Sequence, residues 1–330
     1  METTKEKVPV STKETTDLAG NSKITLSPTS KLILKEAKKR SISVEFIVAE
    51  KGLFKLHYGK RTVFCLTSLT ELTSVVSAEI CLDKYITNNV LQKVGIKVPM
   101  QMIAASKKEN TEFFNKYKRV VTKPISEALG RGVSVDIRTA KEMHYTIGLL
   151  KISGDEGVLI EEFVEGEDLR IIVIDKKFVA AIHRTPPQVT GNGKTQIRKL
   201  IELKNKTLLP DNQIPFNYET RRCVELEGYK MRATLPEGIT IHVRKNANEH
   251  TGGVPMDVTD RISPSLRRTA EKIATIIDIP VTGIDFLVPE VDGDDYTVIE
   301  VNSRPGLDGH EPQPVTAAFI DLLFPETKKN

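Results

Sequence analysis

The spacing of apolar and polar positions changes period several times along the chain, and each change marks an element. In "SPTSKLILKEAKKRSISVEFIVAE" a helical spacing gives way to alternation, with Val44, Phe46 and Val48 opposed to Glu45 and Ile47, which predicts a small α/β lobe. In "LDKYITNNVLQKVGIKVP" Asp83 caps a helix whose apolar face includes Ile86, Val90 and Leu91, and Gly95 ends it. "RVVTKP" is a short strand closed by Pro124, and "RTAKEMHYTIGLLKI" has Thr139 and Glu142 at capping-box spacing before another helix. "GVLIEEFVEGEDLRIIVIDKKFVAAIHR" predicts three strands, the last two joined near Asp175 and Lys176. "SPSLRRTAEKIATIID" predicts a helix with Ser263 as cap, Pro264 at its first position, and Leu266, Ala270, Ile273, Ala274 and Ile277 on one face. Residues 1–25 are polar and aperiodic, which predicts a disordered tail. Residues 205–240 carry too weak a period to predict an element.

Near the C-terminus an apolar strand, "DYTVIEVNSRPG", contains an acid and an amide two residues apart. Strand alternation puts Val298, Glu300 and Asn302 on one face and Ile299 and Val301 on the other. Upstream, "VTGIDFLVPEVDGD" is a second apolar strand with one acid, Asp285. A two-residue turn at Asp292-Gly293 would set position 285 opposite 300, so that two carboxylates face each other. A hard, oxygen-seeking cation between them removes the repulsion, and Asn302 adds a neutral oxygen; this is the chemistry of a Mg²⁺ site with positions left open for phosphates. Solvation of the acids, or pairing with lysines, is the competing account.

Composition narrows the classes. With 330 residues the chain can bury a large core, as one multilobed body or two domains. Against 48 Lys and Arg stand 44 Asp and Glu, a net charge of +4, and no basic block is interleaved with aromatics, so nucleic acid is not an expected partner. No apolar run approaches the ~18 residues of a membrane span, so a cytoplasmic protein without a membrane partner is expected. The three cysteines lack a CxxC pair and are expected to be reduced thiols.

Phosphate-type groups also recur. Lys123 in "VVTKP" is held extended by the following proline and shares a face with Val121, although a lysine snorkelling to water fits as well. "GRGVSV" then supplies Gly130 and Gly132, whose backbone could approach phosphate oxygens. In "IEEFVEGED" an apolar hinge lies between acids, where a flat base could bond to the backbone and Asp168 to ribose; an ordinary strand connection fits too. Arg170 and Arg304 are candidates for a substrate carboxylate, because a guanidinium matches that group bidentately.

The order of these pieces resembles the ATP-grasp superfamily, and most of all the ATP-grasp domains of cyanophycin synthetase and bifunctional glutathione synthetase. "LFKLHYGKRT", "RTPPQVTGNGKTQIRKLIE", "VRKNANEHTGGVPMDVTD" and "GLDGHEPQP" carry the likeness besides the motifs above, from about residue 28 to 325. The resemblance implies an α/β (α+β) ATP-grasp fold: a tail (1–25), an N-terminal lobe (26–83), a small lid subdomain (84–165) and a C-terminal subdomain with the metal site (166–330). It implies that Lys84 and Lys123 contact ATP phosphates under a loop from Ser126 to Val133 containing Gly130 and Gly132. Adenine would lie against the hinge at Glu161, Glu162 and Val164, with Asp168 at the ribose. Asp285, Glu300 and Asn302 would hold two Mg²⁺ ions, for which Mn²⁺ can substitute. Arg244 would stabilise the transferring phosphoryl group, Arg184 with "VTGNG" would border the acceptor site, and Asn248 would contact substrate. The glycines at 191–193 are expected to form a second lid. Glu249-His250 stand where the family usually has Leu-Ser, a departure at the substrate side.

The implied activity is ATP-dependent joining of a carboxylate to an amine, both amino acids or short peptides, through an acyl-phosphate. A ligase acting on a peptide or protein end, and a nucleotide-binding regulator without chemistry, are the alternatives. A homodimer is an open expectation.

Overall fold

A computed structural model describes residues 26–126, 130–154, 157–310 and 312–328. The expected tail, and residues 127–129 of the expected phosphate loop, lie outside the described residues.

At the centre is a five-stranded antiparallel sheet in the order Val254–Asp257, Lys177–Thr185, Glu167–Ile174, Val281–Val288, Thr297–Asn302. Asp175 and Lys176 make its tight hairpin, both with left-handed φ (52° and 57°), as a two-residue turn of the favoured hand requires. One face is covered by helix Pro264–Ile277, whose stripe of Leu266, Ala270, Ile273, Ala274 and Ile277 is buried against Leu169, Ile171, Val173, Ile284 and Phe286. Each such Leu or Ile contributes roughly 1.5–3 kcal/mol by leaving water, so this stripe fixes the helix. Helices Val75–Leu82 and Lys84–Lys93 add Cys81 and Leu91 to the same cluster.

The other face is divided. Its lower half, Ile172, Ile174, Ala180 and Val281, packs against Phe319, Ile320 and Leu323 of helix Val315–Leu323 and against Ile33, Phe54 and Leu56 of the N-terminal lobe. That lobe is helix Pro28–Lys39 with the sheet Ser43–Val48, Leu53–Tyr58, Arg61–Leu66, Leu69–Thr70. In its upper half the same alternation brings up Asp168, Arg170, Ile182, Arg184 and Asp285. One face of one sheet is thus core below and charge above.

A four-stranded sheet, Gln101–Ile103, Val158–Glu162, Val120–Pro124, Ser134–Ile137, stands over the charged half. Helices Lys107–Tyr117 and Ala140–Ile152 back it through Phe114, Met143, Ile147 and Leu150. A fourth cluster joins Gln188–Thr190 and Thr240–His242 to helices Ile197–Asn205 and Tyr218–Leu226. The stretch without a periodic signal therefore contains a helix, capped by Asn217. No helix among the described residues is long and apolar enough to cross a membrane.

Several local expectations are corrected. Asp83 does cap its helix, accepting the Ile86 N–H at 2.9 Å, but Ile86 itself is exposed. Thr87 and Asn88 take the buried positions because backbone carbonyls satisfy them: Thr87 donates to Ile80 O and Asn88 donates to Pro99 O at 2.8 Å. Thr139 accepts the Glu142 N–H, yet the Glu142 carboxylate does not close the box; it takes the Arg138 N–H and the Arg222 guanidinium instead. The turn at Asp292-Gly293 is not a two-residue one, since residues 289–296 connect the strands. A bulge at Ile299 compensates: Phe286 pairs with Val298, whereas Asp285 pairs with Glu300. The bulge also moves Val298 into the core beside Val301 and turns Ile299 to the cleft, so Val298 does not share the face of Glu300.

Candidate functional site

Between the small sheet and the charged half of the large sheet lies a cleft of about 760 Å³. Lys84, Lys123, Gly130, Glu161, Glu162, Val164, Asp168, Arg184, Asn248, Asp285 and Glu300 line it. These come from both sheets, from the first turn of helix Lys84–Lys93, from the connections that carry Gly130 and Val164, and from the segment following Thr240–His242. Arg170, Gly132, Arg244, Asn302 and Arg304 are not among the lining residues.

Cations and acids in the cleft are matched to one another. Lys123 Nζ is 2.7 Å from Glu161, both side chains buried, and Lys84 Nζ is 3.3 Å from Glu300. Arg170 grips Asp285 with a two-pronged fork at 2.7 and 2.8 Å. Arg184 bridges Asp168 at 2.6 Å and Asp285 at 3.2 Å. Burial by itself would raise the Asp285 pKa; the guanidiniums of Arg170 and Arg184 outweigh it and hold the carboxyl at about 2. Arg170, expected to await a substrate carboxylate, is thus engaged by the metal-type acid.

Two glycines let the phosphate-type loop approach its neighbours. Gly130 has φ +70°, and a Cβ there would come within 2.5 Å of the Asn246 amide. Gly132, at φ +69°, would strike Leu150 at 2.6 Å and Pro124 at 3.1 Å. The loop is pressed between "NAN" and the proline after Lys123.

At the hinge the Glu162 N–H donates to Met100 O and the Phe163 N–H to Arg119 O. The Val164 N–H has no partner among the described residues. Arg119 stacks on the Phe163 ring at 4.1 Å.

Arg244 is buried behind the cleft; its Nη1 donates to Asn217 and Thr220, both at 3.1 Å, while its Nε has no partner among the described residues. Asn302 donates its amide to Gly283 O at 3.3 Å, and Arg304 is exposed. The glycines at 191–193 lie outside the cleft: the N–H of Gly191 donates to Ile239 O and that of Gly193 to Leu235 O. These bonds hold them beside the paired strands Gln188–Thr190 and Thr240–His242. Lys245, Asn246 and His183 line the cleft and were not anticipated. Lys245 adjoins Arg244 in the sequence and, unlike it, lines the cleft. The three thiols are free and buried, which pushes each up to about 12, leaving no thiolate nucleophile among them.

The acids of the cleft are of the hard-oxygen type that a divalent metal takes, although here both Asp285 oxygens are held by guanidiniums and Glu300 pairs with Lys84. Asp285 and Glu300 are direct register partners, and both carboxylates reach the cleft that holds Lys84 and Lys123. The described residues contain no group of three or more acids, histidines or cysteines able to cage an ion alone. Such an arrangement suits an ion that takes its other ligands from phosphate and water.

A model of the ATP-grasp domain matches residues 81–307. Cyanophycin synthetase of Geminocystis herdmanii is 31% identical over 335 aligned residues, covering 94% of this chain and 37% of that protein. The bifunctional glutathione biosynthesis protein of Desulfotalea psychrophila is 26% identical over 294 residues, 84% of this chain and 38% of that one. The bifunctional glutathione synthetase from Pasteurella multocida superposes with a TM-score of 0.62 at 22% identity, covering 91% of this chain and 44% of that structure, a likeness of fold. The chain spans less than half the length of these relatives. The matched stretch nonetheless begins just before Lys84 and ends just after Asn302, so it takes in both sheets and the whole cleft between them, and the chain belongs to the ATP-grasp family.

Proposed function

We propose that the protein is an ATP-dependent ligase that activates a substrate carboxylate as an acyl-phosphate and joins it to an amine, releasing ADP and phosphate. The observation that carries this reading is the single cleft in which Lys84 and Lys123 stand opposite the facing pair Asp285 and Glu300. Lys84 and Lys123 bind the ATP phosphates, and the Gly130–Gly132 loop closes over them. Adenine lies at the hinge, where the free Val164 N–H is its donor, and Asp168 takes the ribose.

Asp285, Glu300 and Asn302 hold Mg²⁺, two ions in the family pattern, with Mn²⁺ as a substitute; bound there, the metal neutralises charge on the β- and γ-phosphates. The carboxylate oxygen attacks the γ-phosphorus and ADP leaves; the amine nitrogen then attacks the acyl carbon, losing a proton as phosphate departs. Arg244 and Arg184 stabilise the transferring group, while Arg170, Arg304 and Asn248 are the candidate substrate contacts. Catalysis of this kind is positioning and electrostatics, with no protein nucleophile. Amino acids or short peptides are the proposed substrates.

Incubation with Mg·ATP, a panel of amino-acid and peptide carboxylates, and hydroxylamine tests the reading. A hydroxamate formed together with ADP is expected, and Glu300→Gln should abolish it while leaving the fold intact by circular dichroism. AMP and pyrophosphate would overturn the phosphoryl-transfer chemistry, and binding without any turnover across the panel would favour a regulator.

A further inference from the structure

A row of side chains crosses the large sheet beneath the cleft: Glu300, Asp285, Arg170 and Ile182 are successive register partners on neighbouring strands. Over the Ile182 end of this row lies Glu249, the residue after the cleft-lining Asn248. A Cβ placed on Gly309 would be 3.2 and 3.7 Å from the two Glu249 carboxylate oxygens and 3.6 Å from Ile182 Cδ1. The carboxylate therefore packs beside the Gly309 backbone and close to Ile182, adjoining the cleft through Asn248. It makes no hydrogen bond or ion pair among the described residues.

The cations nearest to it are already matched. Arg170 is bidentate on Asp285, and Arg184 bridges Asp168 and Asp285. Asp308, the neighbouring acid, accepts the Thr29 hydroxyl. His310 supplies no positive charge, because burial, reinforced by Arg170 and Arg184, pushes its ring down to about 3. Two guanidiniums thus stand among four carboxylates, those of Asp168, Asp285, Glu249 and Asp308. Burial raises the Glu249 pKa despite the attraction of Arg170, as expected of a carboxylate that lacks a cation of its own. Glu249 is half-buried, and a carboxylate partly withdrawn from water without a cation of its own is costly; a ligand cation relieves it.

Resting on the ligase reading above, we propose that Glu249 is the receptor for an ammonium or guanidinium group of the amine substrate, so that the enzyme selects a basic amino acid or a peptide end bearing one. A metal ion is the poorer occupant, since it would find one carboxylate there and no further gathered donors among the described residues.

Titration calorimetry on the full chain with bound Mg·AMPPNP tests the assignment, using L-arginine and L-lysine against their uncharged counterparts L-citrulline and L-norleucine. At least one basic compound should bind on the order of tenfold or more tighter than its counterpart. Glu249→Gln should remove that preference while Mg·AMPPNP affinity stays unchanged. Glu249→Asp, which keeps the charge but draws it back, should retain part of it. Equal binding of charged and uncharged compounds, binding of none of them, or a preference that survives in Glu249→Gln would each overturn the assignment. Failure of the wild-type chain to bind Mg·AMPPNP would instead overturn the nucleotide reading beneath it, and this assignment with it.

Discussion

Lys123 keeps its charge inside the protein. Only 6% exposed, it meets the buried Glu161 at 2.7 Å, so it is half of an ion pair and does not snorkel to water. Removing one partner of such a pair strands the other, and that loss dominates the energetics. Lys123→Met should therefore cost about 3 kcal/mol in urea unfolding. Lys123→Met combined with Glu161→Met should recover most of that stability, because apolar side chains of similar volume replace the pair. Both variants should lose Mg·ATP affinity by calorimetry. A double variant as unstable as the single one would place the cost in packing and not in charge. The sequence singled out both residues, but not as partners. They lie on strands that follow one another only in space, diagonal across the register pair Val121 and Glu161.

A single capping bond aims one of the phosphate-type lysines. The Asp83 carboxylate fixes the first turn of helix Lys84–Lys93, and Lys84 is that helix's first residue. Asp83→Ala should lower stability by about 1 kcal/mol and also weaken Mg·ATP binding, since the fraying turn carries Lys84. Ser263→Ala, at the cap of helix Pro264–Ile277 on the far face of the large sheet, is the control. It should cost similar stability in a thermal melt and leave the affinity unchanged. Equal effects of the two variants on binding would mean that the Asp83 cap does not position Lys84. Both caps were legible in the sequence, because an N-cap is a local bond between residues three apart. The bulge at Ile299 was not, since it depends on the partner strand.

At the scale of the molecule, one buried arginine ties the small sheet to the rest. From helix Tyr218–Leu226, Arg222 binds Glu219 at 2.7 Å, Glu142 of helix Ala140–Ile152 at 3.0 Å, and the Val135 carbonyl of the small sheet. Glu219 in turn accepts the Val135 N–H at 3.2 Å. The same helix holds Arg244 through Asn217 and Thr220, so the position of the small sheet and that of Arg244 are set together. Arg222→Met leaves Glu219 buried without its cation and should cost on the order of 3–5 kcal/mol. Amide exchange in strand Ser134–Ile137 should accelerate more than in strand Val281–Val288, which Arg222 does not touch. A uniform change across both strands would argue against this tie.

By itself the sequence determined the strongly periodic elements, the caps and the Asp175-Lys176 hairpin. Each of these follows from local spacing, because side-chain period and short-range bonds record which face of an element is apolar. Only the tertiary structure decided which charge meets which: Arg170 with Asp285, Lys84 with Glu300, Lys123 with Glu161, and Glu249 with none among the described residues. A charged position in a sequence is compatible with water, an ion pair or a ligand, and the choice among them is made by segments brought together from far along the chain.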